Sequence, residues 1–275
     1  MTAPLHPSLG TIDRALAVRI PSVDGILNLR HLGGLPRNDG GSTVPVVLRS
    51  GNPDGLRPTG WTQLVDEFGV QAVVDLRSSH ERTELDRSLN GRPVPTIHAP
   101  VIEAKTREEY TPKMRIPDTG DPHMVAMAKQ LLAVGGNGFV AAATAIAEHA
   151  PVLVHCSAGK DRTGILSALI LRVAGVTDDA IAADYEASTT LIGDHMLELR
   201  NSISALDDPS SDIGIRTFST AEEAWADRMA TTDVMRATLS HLDVEWGGAE
   251  AYLSAHGMES TAIAALRARL TDSDT

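Results

Sequence analysis

The sequence contains one cysteine and few aromatic residues. One Cys in 275 residues excludes an internal disulfide and a cysteine-based metal cluster, and leaves either a buried structural thiol or a single reactive one. Phe, Trp and Tyr, three of each, make up 3% of the chain, which argues against the aromatic platforms that bind single-stranded nucleic acids. The core must therefore be built mainly from Ala, Val, Leu and Ile.

Positive charge and long apolar runs are also scarce. Lys and Arg number 24 against 36 Asp and Glu, a formal net charge of −12, so the long-range field repels nucleic acids and anionic membranes. No run of eighteen apolar residues occurs, and the N-terminus lacks the basic and apolar segments of a signal peptide. We expect a soluble, cytoplasmic protein with no nucleic-acid partner and no membrane insertion. The sequence leaves its oligomeric state open.

The chain otherwise has a globular composition, with 42% apolar and 22% charged residues. Residues 70–76 and 151–155 are short, valine-rich runs typical of strands buried on both faces of a parallel sheet. Strand and helix patterns alternate, which predicts an α/β fold with a central, mostly parallel sheet flanked by helices. Strands are predicted at residues 44–49, 70–76, 95–100 and 151–155, and helices at residues 59–67 (capped by Thr59), 124–134, 138–149 and 163–173.

Three further regions organise the chain. Residues 1–20 are predicted to be a leader with a short helix at 12–19, and residues 21–275 a single domain. Residues 103–122 are polar and interrupted by prolines, which predicts a loop or lid. From about residue 177 only helices are expected, which either cover a site or belong to the core. These helices are predicted at residues 179–192, 195–206, 221–242, 247–256 and 260–270.

The strongest chemical signal is the segment that follows the strand at residues 151–155. It reads CSAGKDRTG and leads into an apolar helix, so Cys156 lies between a strand end and a helix N-terminus. Loop N–H groups and the helix dipole stabilise an anion at such a position, and Lys160 and Arg162 favour the thiolate of Cys156. Gly159 supplies the backbone freedom that the tight loop needs.

A cysteine followed five residues later by an arginine is the minimum for attack on a phosphate monoester through a phosphocysteine intermediate. The predicted phosphate-binding residues are Ser157, Ala158, Gly159, Lys160, Asp161, Arg162 and Thr163. The guanidinium of Arg162 binds two phosphate oxygens, and the hydroxyl of Thr163 assists the departing thiolate. His155 is expected to support the loop. No metal ion or other cofactor is required, and the flanking pattern disfavours a purely structural cysteine.

These residues resemble a known family. Residues 155–164 (HCSAGKDRTG) are similar to the signature of cysteine-dependent protein tyrosine phosphatases, and their ending is similar to that of the bacterial PtpB-like branch. Residues 28–34 (NLRHLGG), 48–51 (LRSG) and 73–78 (VVDLRS), followed by Glu81 and Arg82, resemble further motifs of that branch. His31 and Leu29 depart from it, since Asp and Phe are expected there.

The resemblance implies a phosphotyrosine-phosphatase fold, with Cys156 as nucleophile and Arg162 as phosphate clamp. It also implies relaxed specificity: phosphotyrosine proteins first, then phosphoserine, phosphothreonine and phosphoinositides. Lys160 would neutralise the phosphates of an inositol ring and Asp161 would orient Arg162 or water, the alternative being that Lys160 is a solvated loop lysine. Some relatives are secreted without a cleavable signal, so export by that route stays open.

The leaving alcohol needs a proton from a carboxylic acid. Asp75 ends a buried strand at the sheet edge that faces the cysteine loop, and is the first choice; its alternative role is a structural pair with Arg77 or Arg49. Asp161 is the second choice. Asp118 and Asp121 lie on the predicted lid, where turn formation is the competing interpretation.

Two rival functions share the same loop. A pseudophosphatase would capture phosphorylated partners without turnover, but the retention of Cys156 and Arg162 argues against it. A sulfurtransferase of the rhodanese type also places a cysteine in an anion-binding loop. The Arg-Thr-Gly sequence that opens the helix fits a phosphate better, so the sequence predicts a phosphatase.

Overall fold

The computed structural model describes residues 25–85, 94–116, 119–193 and 228–271, together with Arg19, Pro21 and Val23. Its centre is a five-stranded sheet with the strand order β1-β2-β5-β3-β4. β1 runs antiparallel to β2, and all other neighbouring pairs are parallel. The strands are β1 (Arg30–His31), β2 (Val47–Ser50), β3 (Ala72–Asp75), β4 (Thr96–His98) and β5 (Val152–His155).

Nine α-helices are described, and all those after β5 follow one another without an intervening strand in the described residues. The predicted α/β class and its helical C-terminal part are therefore confirmed. The helices are α1 (Pro58–Asp66), α2 (Ser79–Leu85), α3 (Arg107–Lys113), α4 (His123–His149), α5 (Asp161–Val173), α6 (Asp178–Leu191), α7 (Thr232–Trp246), α8 (Ala249–Ala255) and α9 (Ser260–Thr271).

The sheet is buried on both faces because alternate strand residues enter different cores. In β5, Val152 and Val154 join the larger core with α4 and α5, whereas Leu153 faces the opposite side. There it packs with Trp61 and Leu64 of α1. This two-sided burial explains the continuous apolar runs of the central strands.

The helix α4 is continuous, whereas two helices separated at residues 135–137 were predicted. The prediction was wrong because the glycines in the middle serve packing. A Cβ atom on Gly138 would lie 2.2 Å from the carbonyl oxygen of Pro100, and one on Gly136 would overlap the ring of His256. The glycines thus allow close approach without ending the helix.

The same helix is long and apolar enough to cross a membrane. Within the fold, however, 61% of its most apolar window is buried by other elements. Its first half packs Leu131 and Leu132 into the larger core, and its second half packs Phe139 and Ile146 there. It is packed as a core helix.

A helix lies inside the segment predicted as a loop or lid. The helix α3 is capped by Thr106, whose hydroxyl accepts a hydrogen bond from the Glu109 N–H at 3.3 Å. It has no fully buried residue and contains Pro112, so it shows neither apolar periodicity nor an unbroken sequence pattern. The local signals were the Thr106 cap, the acidic residues Glu108 and Glu109 in the first turn and Lys113 in the last.

Other boundaries also differ from the predictions. Pro58 is the first residue of α1, so Thr59 lies inside the helix and is not its cap. Of the helix predicted over 221–242, residues 221–227 lie outside the described residues. In the described part the helix begins at Thr232, where the Thr231 hydroxyl accepts from the Val234 N–H at 3.3 Å, and it continues to Trp246. The short elements β1 and α2 were not predicted. The predicted helix at 195–206 and, apart from Arg19, the one at 12–19 lie outside the described residues.

Candidate active site

The candidate loop lies at the centre of the sheet, where β5 ends between β2 and β3. It runs from Cys156 to the first turn of α5. Cys156 is only 3% exposed, and Arg162 is buried as well. The hydroxyl of Thr163 is fully buried and has no hydrogen-bond partner in the described part of the chain. The strand, loop and helix predicted from the sequence therefore bring these three side chains to one place.

Three carbonyl groups of the loop accept hydrogen bonds from residues outside it. The Asn52 N–H donates to the Ser157 oxygen at 2.7 Å, and the Asn28 amide donates to the oxygens of Ala158 and Gly159, both at 3.0 Å. In a trans peptide the next N–H points the opposite way. None of the N–H groups of residues 157–162 donates to a group in the described residues. The loop can therefore direct its N–H groups at one bound anion.

Gly159 is required by the shape of the loop. Its φ of +69° lies in the left-handed region, and a Cβ atom there would stand 2.2 Å from the carbonyl oxygen of Ser50 at the end of β2. Both the backbone conformation and the close approach exclude a side chain. The predicted role of Gly159 as the flexible residue of the loop thus has a specific cause.

Arg162 is paired with Glu81 of α2. Its Nη1 donates to Oε2 at 2.5 Å and its Nη2 to Oε1 at 2.7 Å, a two-bond geometry that fixes the guanidinium plane. Glu81 also accepts from the N–H and hydroxyl of Ser78 at 2.9 and 3.1 Å. Burial opposes the charged forms of both side chains. The bonds from Arg162 outweigh burial and lower the pKa of Glu81, whereas the charge of Cys156 and the pair with Glu81 outweigh it and raise the pKa of Arg162.

The role of Glu81 was missed by the sequence reasoning. The residue was noticed only as part of a motif, together with Arg82, and no function followed from that pattern. Glu81 and Arg162 are 81 positions apart, so their pairing depends on the fold. The available signal was the position of Glu81 shortly after β3, on the sheet edge that faces the loop.

Tyr110 of α3 also belongs to the site. Burial raises the pKa of its phenol, which interacts electrostatically with Arg162, Glu81 and Cys156. The side chain packs partly against the larger core. Part of the predicted lid segment therefore lies beside the loop, positioned by a helix that the sequence pattern did not predict.

Asp75, the first choice for the proton donor, forms a closed pair with Arg77. It accepts from the Arg77 N–H at 2.9 Å, from Nε at 3.0 Å and from Nη2 at 2.9 Å, and it is fully buried. Burial opposes its ionisation, but His155 and Arg77 outweigh this and lower the pKa of Asp75 to about 2. This geometry favours the alternative role of a structural carboxylate.

His155 supports the loop, as predicted. Its Nδ1 lies 3.1 Å from the Cys156 carbonyl oxygen. Burial lowers the pKa of the imidazole, so the neutral ring donates from Nδ1. The side chain is fully buried, with Nε2 located 3.7 Å from an oxygen of Asp75.

Lys160 and Asp161 point to the side of α6 and α7. The Lys160 ammonium donates to the carbonyl oxygen of Arg228 at 2.7 Å, and the residue is 5% exposed, so it is not a solvated loop lysine. The Asp161 carboxylate lies 3.6 Å from this ammonium and accepts from the Tyr185 hydroxyl at 3.4 Å. It keeps 28% of its side chain exposed, the accessibility that a proton donor requires.

The remaining acid candidates lie elsewhere. Asp121 forms an ion pair with Lys129 at 2.8 Å and accepts from the Thr119 hydroxyl at 2.7 Å. These hydrogen bonds lower the pKa of Asp121. Asp118 lies outside the described residues. Across the described ranges, no group of three or more His, Cys, Asp or Glu side chains is arranged to hold a metal ion.

A model of the tyrosine phosphatase family, Y_phosphatase3, matches residues 21–272. The chain belongs to this tyrosine phosphatase family. The family match includes the cysteine loop, Glu81 and the helices of the C-terminal part. The resemblance read from the motifs is thus confirmed for the family.

Three curated members of tyrosine phosphatase families are similar to parts of the chain. A putative tyrosine-protein phosphatase of Cupriavidus necator is 32% identical over 167 residues, which cover 59% of this chain and 60% of the relative. The triple specificity protein phosphatase PtpB of Mycobacterium tuberculosis is 31% identical over 128 residues, 45% of each chain. A tyrosine-protein phosphatase of Nostoc commune is 34% identical over 121 residues, 43% of this chain and 38% of the relative. The similarity thus spans less than two thirds of each relative.

Two solved structures are more distant from this family member. The core catalytic domain of the PP-IP phosphatase Siw14 from S. cerevisiae covers 68% of this chain and 98% of its own, at 16% identity and a TM-score of 0.34. The P. aeruginosa protein TpbA covers 66% of this chain and 86% of its own, at 21% identity and a TM-score of 0.33.

Proposed function

We propose that the protein is a cysteine-dependent phosphatase that hydrolyses phosphate monoesters, with phosphotyrosine in proteins as its first substrate class. Phosphoserine, phosphothreonine and phosphoinositides are the further classes. The observation that carries the proposal is the loop from Cys156 to Arg162, in which the carbonyls of Ser157, Ala158 and Gly159 are bonded to residues outside the loop, beside a buried thiol. Such a ring of free N–H groups fits the oxygens of a phosphate.

In the first step the Cys156 thiolate attacks phosphorus, and the bond between phosphorus and the alcohol oxygen breaks. Arg162 has five N–H donors, two of which are used by Glu81, so three are left for the phosphate. The buried hydroxyl of Thr163 is available to donate to Sγ when sulfur becomes the leaving group. We assign phosphate capture to Arg162 and the loop amides, because the Lys160 ammonium points toward the Arg228 carbonyl at 2.7 Å and the Asp161 carboxylate at 3.6 Å.

We further propose Asp161 as the proton donor. Its carboxylate is partly exposed and lies in the loop itself, whereas Asp75 is enclosed by Arg77. Asp161 gives its proton to the departing alcohol oxygen. In the second step it takes a proton from the water that attacks phosphocysteine, the phosphorus–sulfur bond breaks, and phosphate and the thiolate of Cys156 are released.

The test is phosphate release by the purified full-length protein in the presence of a chelator. The substrates are a phosphotyrosine peptide, a phosphoserine peptide and a soluble phosphoinositide, each with wild type and Cys156→Ser. Turnover by wild type alone is expected, with the phosphotyrosine peptide fastest. Full activity in Cys156→Ser, or no turnover by either protein while phosphate still binds, would overturn the proposal; the second result would identify a phosphate-binding pseudophosphatase.

A further inference from the structure

A cluster of buried charges lies against the carbonyl side of the loop, where Arg49 donates to the Gly159 carbonyl. Asp184 of α6 binds three guanidinium groups: Arg19 at 2.8 Å, Arg30 at 3.0 Å and Arg49 at 2.6 Å. Asp184, Arg30 and Arg49 are at most 1% exposed. Because three positive charges face one carboxylate, the cluster carries an excess of positive charge.

Burying these charges is unfavourable for the free energy of folding. Burial and the neighbouring Arg49 lower the pKa of Arg30 to about 9, which shows how strongly the surroundings oppose its charge. Buried ion pairs are often no more stabilising than apolar residues of the same volume. A role beyond stability therefore has to be sought in what the cluster touches.

Two hydrogen-bond paths connect the cluster to the loop, one through Arg49 and one through Arg30 and Asn28. Arg49 donates from Nη1 to Asp184 at 2.6 Å and from Nη2 to the Gly159 carbonyl at 2.8 Å. Arg30 donates to the side-chain oxygen of Asn28 at 2.6 Å, and the amide of Asn28 donates to the carbonyls of Ala158 and Gly159. Asp184 therefore orients Arg49, which donates directly to the Gly159 carbonyl. It also orients Arg30, which holds the Asn28 amide that donates to the loop carbonyls.

We propose that Asp184 is a positioning residue for phosphate capture. By holding Arg49 and Arg30, and through Arg30 the amide of Asn28, it keeps the carbonyls of Ala158 and Gly159 turned away from the anion. The N–H groups of Gly159 and Lys160, on the same peptide planes, are thereby kept turned toward it. The proposal rests on the phosphate-binding role of the loop, and it explains why three buried arginines converge on one residue of α6.

A positioning role and a purely electrostatic effect of Asp184 predict opposite changes in the affinity for inorganic phosphate. In Asp184→Asn a negative charge behind the loop disappears, so a charge effect alone would strengthen the binding of inorganic phosphate. Loss of positioning would weaken it, by roughly tenfold or more, the scale of one lost charge-assisted hydrogen bond. The dissociation constant of inorganic phosphate is measured by calorimetry in a Cys156→Ser background, with and without Asp184→Asn.

A second readout uses the only cysteine of the chain. Iodoacetate is anionic and needs the anion pocket, whereas iodoacetamide is neutral and reports the thiolate alone. The ratio of the two alkylation rates of Cys156 is expected to fall in Asp184→Asn by a factor similar to the loss of phosphate affinity. A role confined to stability would lower the unfolding temperature and leave this ratio unchanged.

The matched control is Tyr252→Phe, which removes another buried hydrogen bond, from the Tyr252 hydroxyl to the Leu132 carbonyl at 2.7 Å. It is expected to lower stability and to leave the alkylation ratio as in wild type. Should Asp184→Asn fail to fold, Asn28→Gly decides the question. Asn28 has a φ of +60°, which glycine tolerates. This change therefore removes the hydrogen bonds from the Asn28 amide to the loop carbonyls without straining the backbone.

Unchanged or tighter phosphate binding in folded Asp184→Asn, or an unchanged ratio in Asn28→Gly when only that variant folds, would overturn the proposal. Neither measurement needs turnover. If wild type hydrolyses no phosphate monoester, the proposed function fails, while phosphate affinity and alkylation still report on Asp184. If wild type binds no phosphate at all, both proposals fail together.

Discussion

Glu81 and Arg162 are joined by two parallel hydrogen bonds of 2.5 and 2.7 Å across 81 positions of the chain. The carboxylate is in turn fixed by the backbone and hydroxyl of Ser78. The orientation of the Arg162 guanidinium, the proposed phosphate clamp, is therefore set from α2, and not by the loop that contains it.

We expect Glu81→Gln to lower kcat/KM for a phosphotyrosine peptide by about 10- to 100-fold, because the guanidinium of Arg162 loses a charge-assisted pair of bonds. Steady-state kinetics measure the effect. Glu250→Gln is the control, since Glu250 also binds an arginine, Arg267, but at the surface. Equal kinetics in Glu81→Gln and wild type would show that Glu81 does not orient the clamp.

Replacing Asp161 separates proton donation from binding. In Asp161→Asn the rate for a phosphotyrosine peptide is expected to fall about 100-fold, because the alcohol then leaves unprotonated. The rate for 4-nitrophenyl phosphate should fall much less, since its leaving group is a stronger acid. Asp121→Asn, at the carboxylate paired with Lys129, should leave both rates intact. Similar losses for both substrates in Asp161→Asn would assign the donor to another group.

Gly159→Ala tests the close approach of the loop to β2. The variant is expected to lose nearly all activity, because its Cβ would lie 2.2 Å from the Ser50 oxygen. Gly175→Ala provides the matched control: its φ is +79°, but nothing lies within 4 Å of the added atom. It should lose only the 1–2 kcal/mol, roughly, that left-handed backbone strain costs, and remain active. Comparable activity in the two variants would refute this explanation.

The acid stability of the protein should depend on Asp75. Its pKa of about 2 in the folded state lies below the value of about 3.9 expected in the unfolded chain. The contacts of the Asp75 carboxylate with His155 and Arg77 together therefore stabilise the fold by about 2–3 kcal/mol above pH ~4, and this contribution is lost as the pH falls toward 2.

Urea unfolding at pH 7 and at pH 3 measures this contribution. Asp75→Asn is expected to be less stable at pH 7 and to lose less stability than wild type between the two values. Asp39→Asn, at a surface carboxylate that pairs with Arg37, should follow wild type. An identical acid dependence in Asp75→Asn and wild type would contradict the assignment.

Much of the fold and the core of the site followed from local sequence. The runs at 70–76 and 151–155 gave strands within two residues of β3 and β5, because a strand buried on both faces needs an uninterrupted apolar segment. The cysteine loop could also be predicted, because its strand, loop and helix N-terminus are contiguous in the sequence. The family followed from the motifs around it.

The remaining features depend on contacts between distant residues. Apolar periodicity reports that a side chain is buried but not which charge it meets, so it could not pair Glu81 with Arg162 or Asp184 with Arg49. It also could not show that Asp75 is enclosed by Arg77, or that the glycines of α4 serve packing. The sequence by itself determined the position of the cysteine loop and the class of fold. The tertiary structure decided which charges hold that loop, because such pairs form only where the folded chain brings their atoms within hydrogen-bond distance.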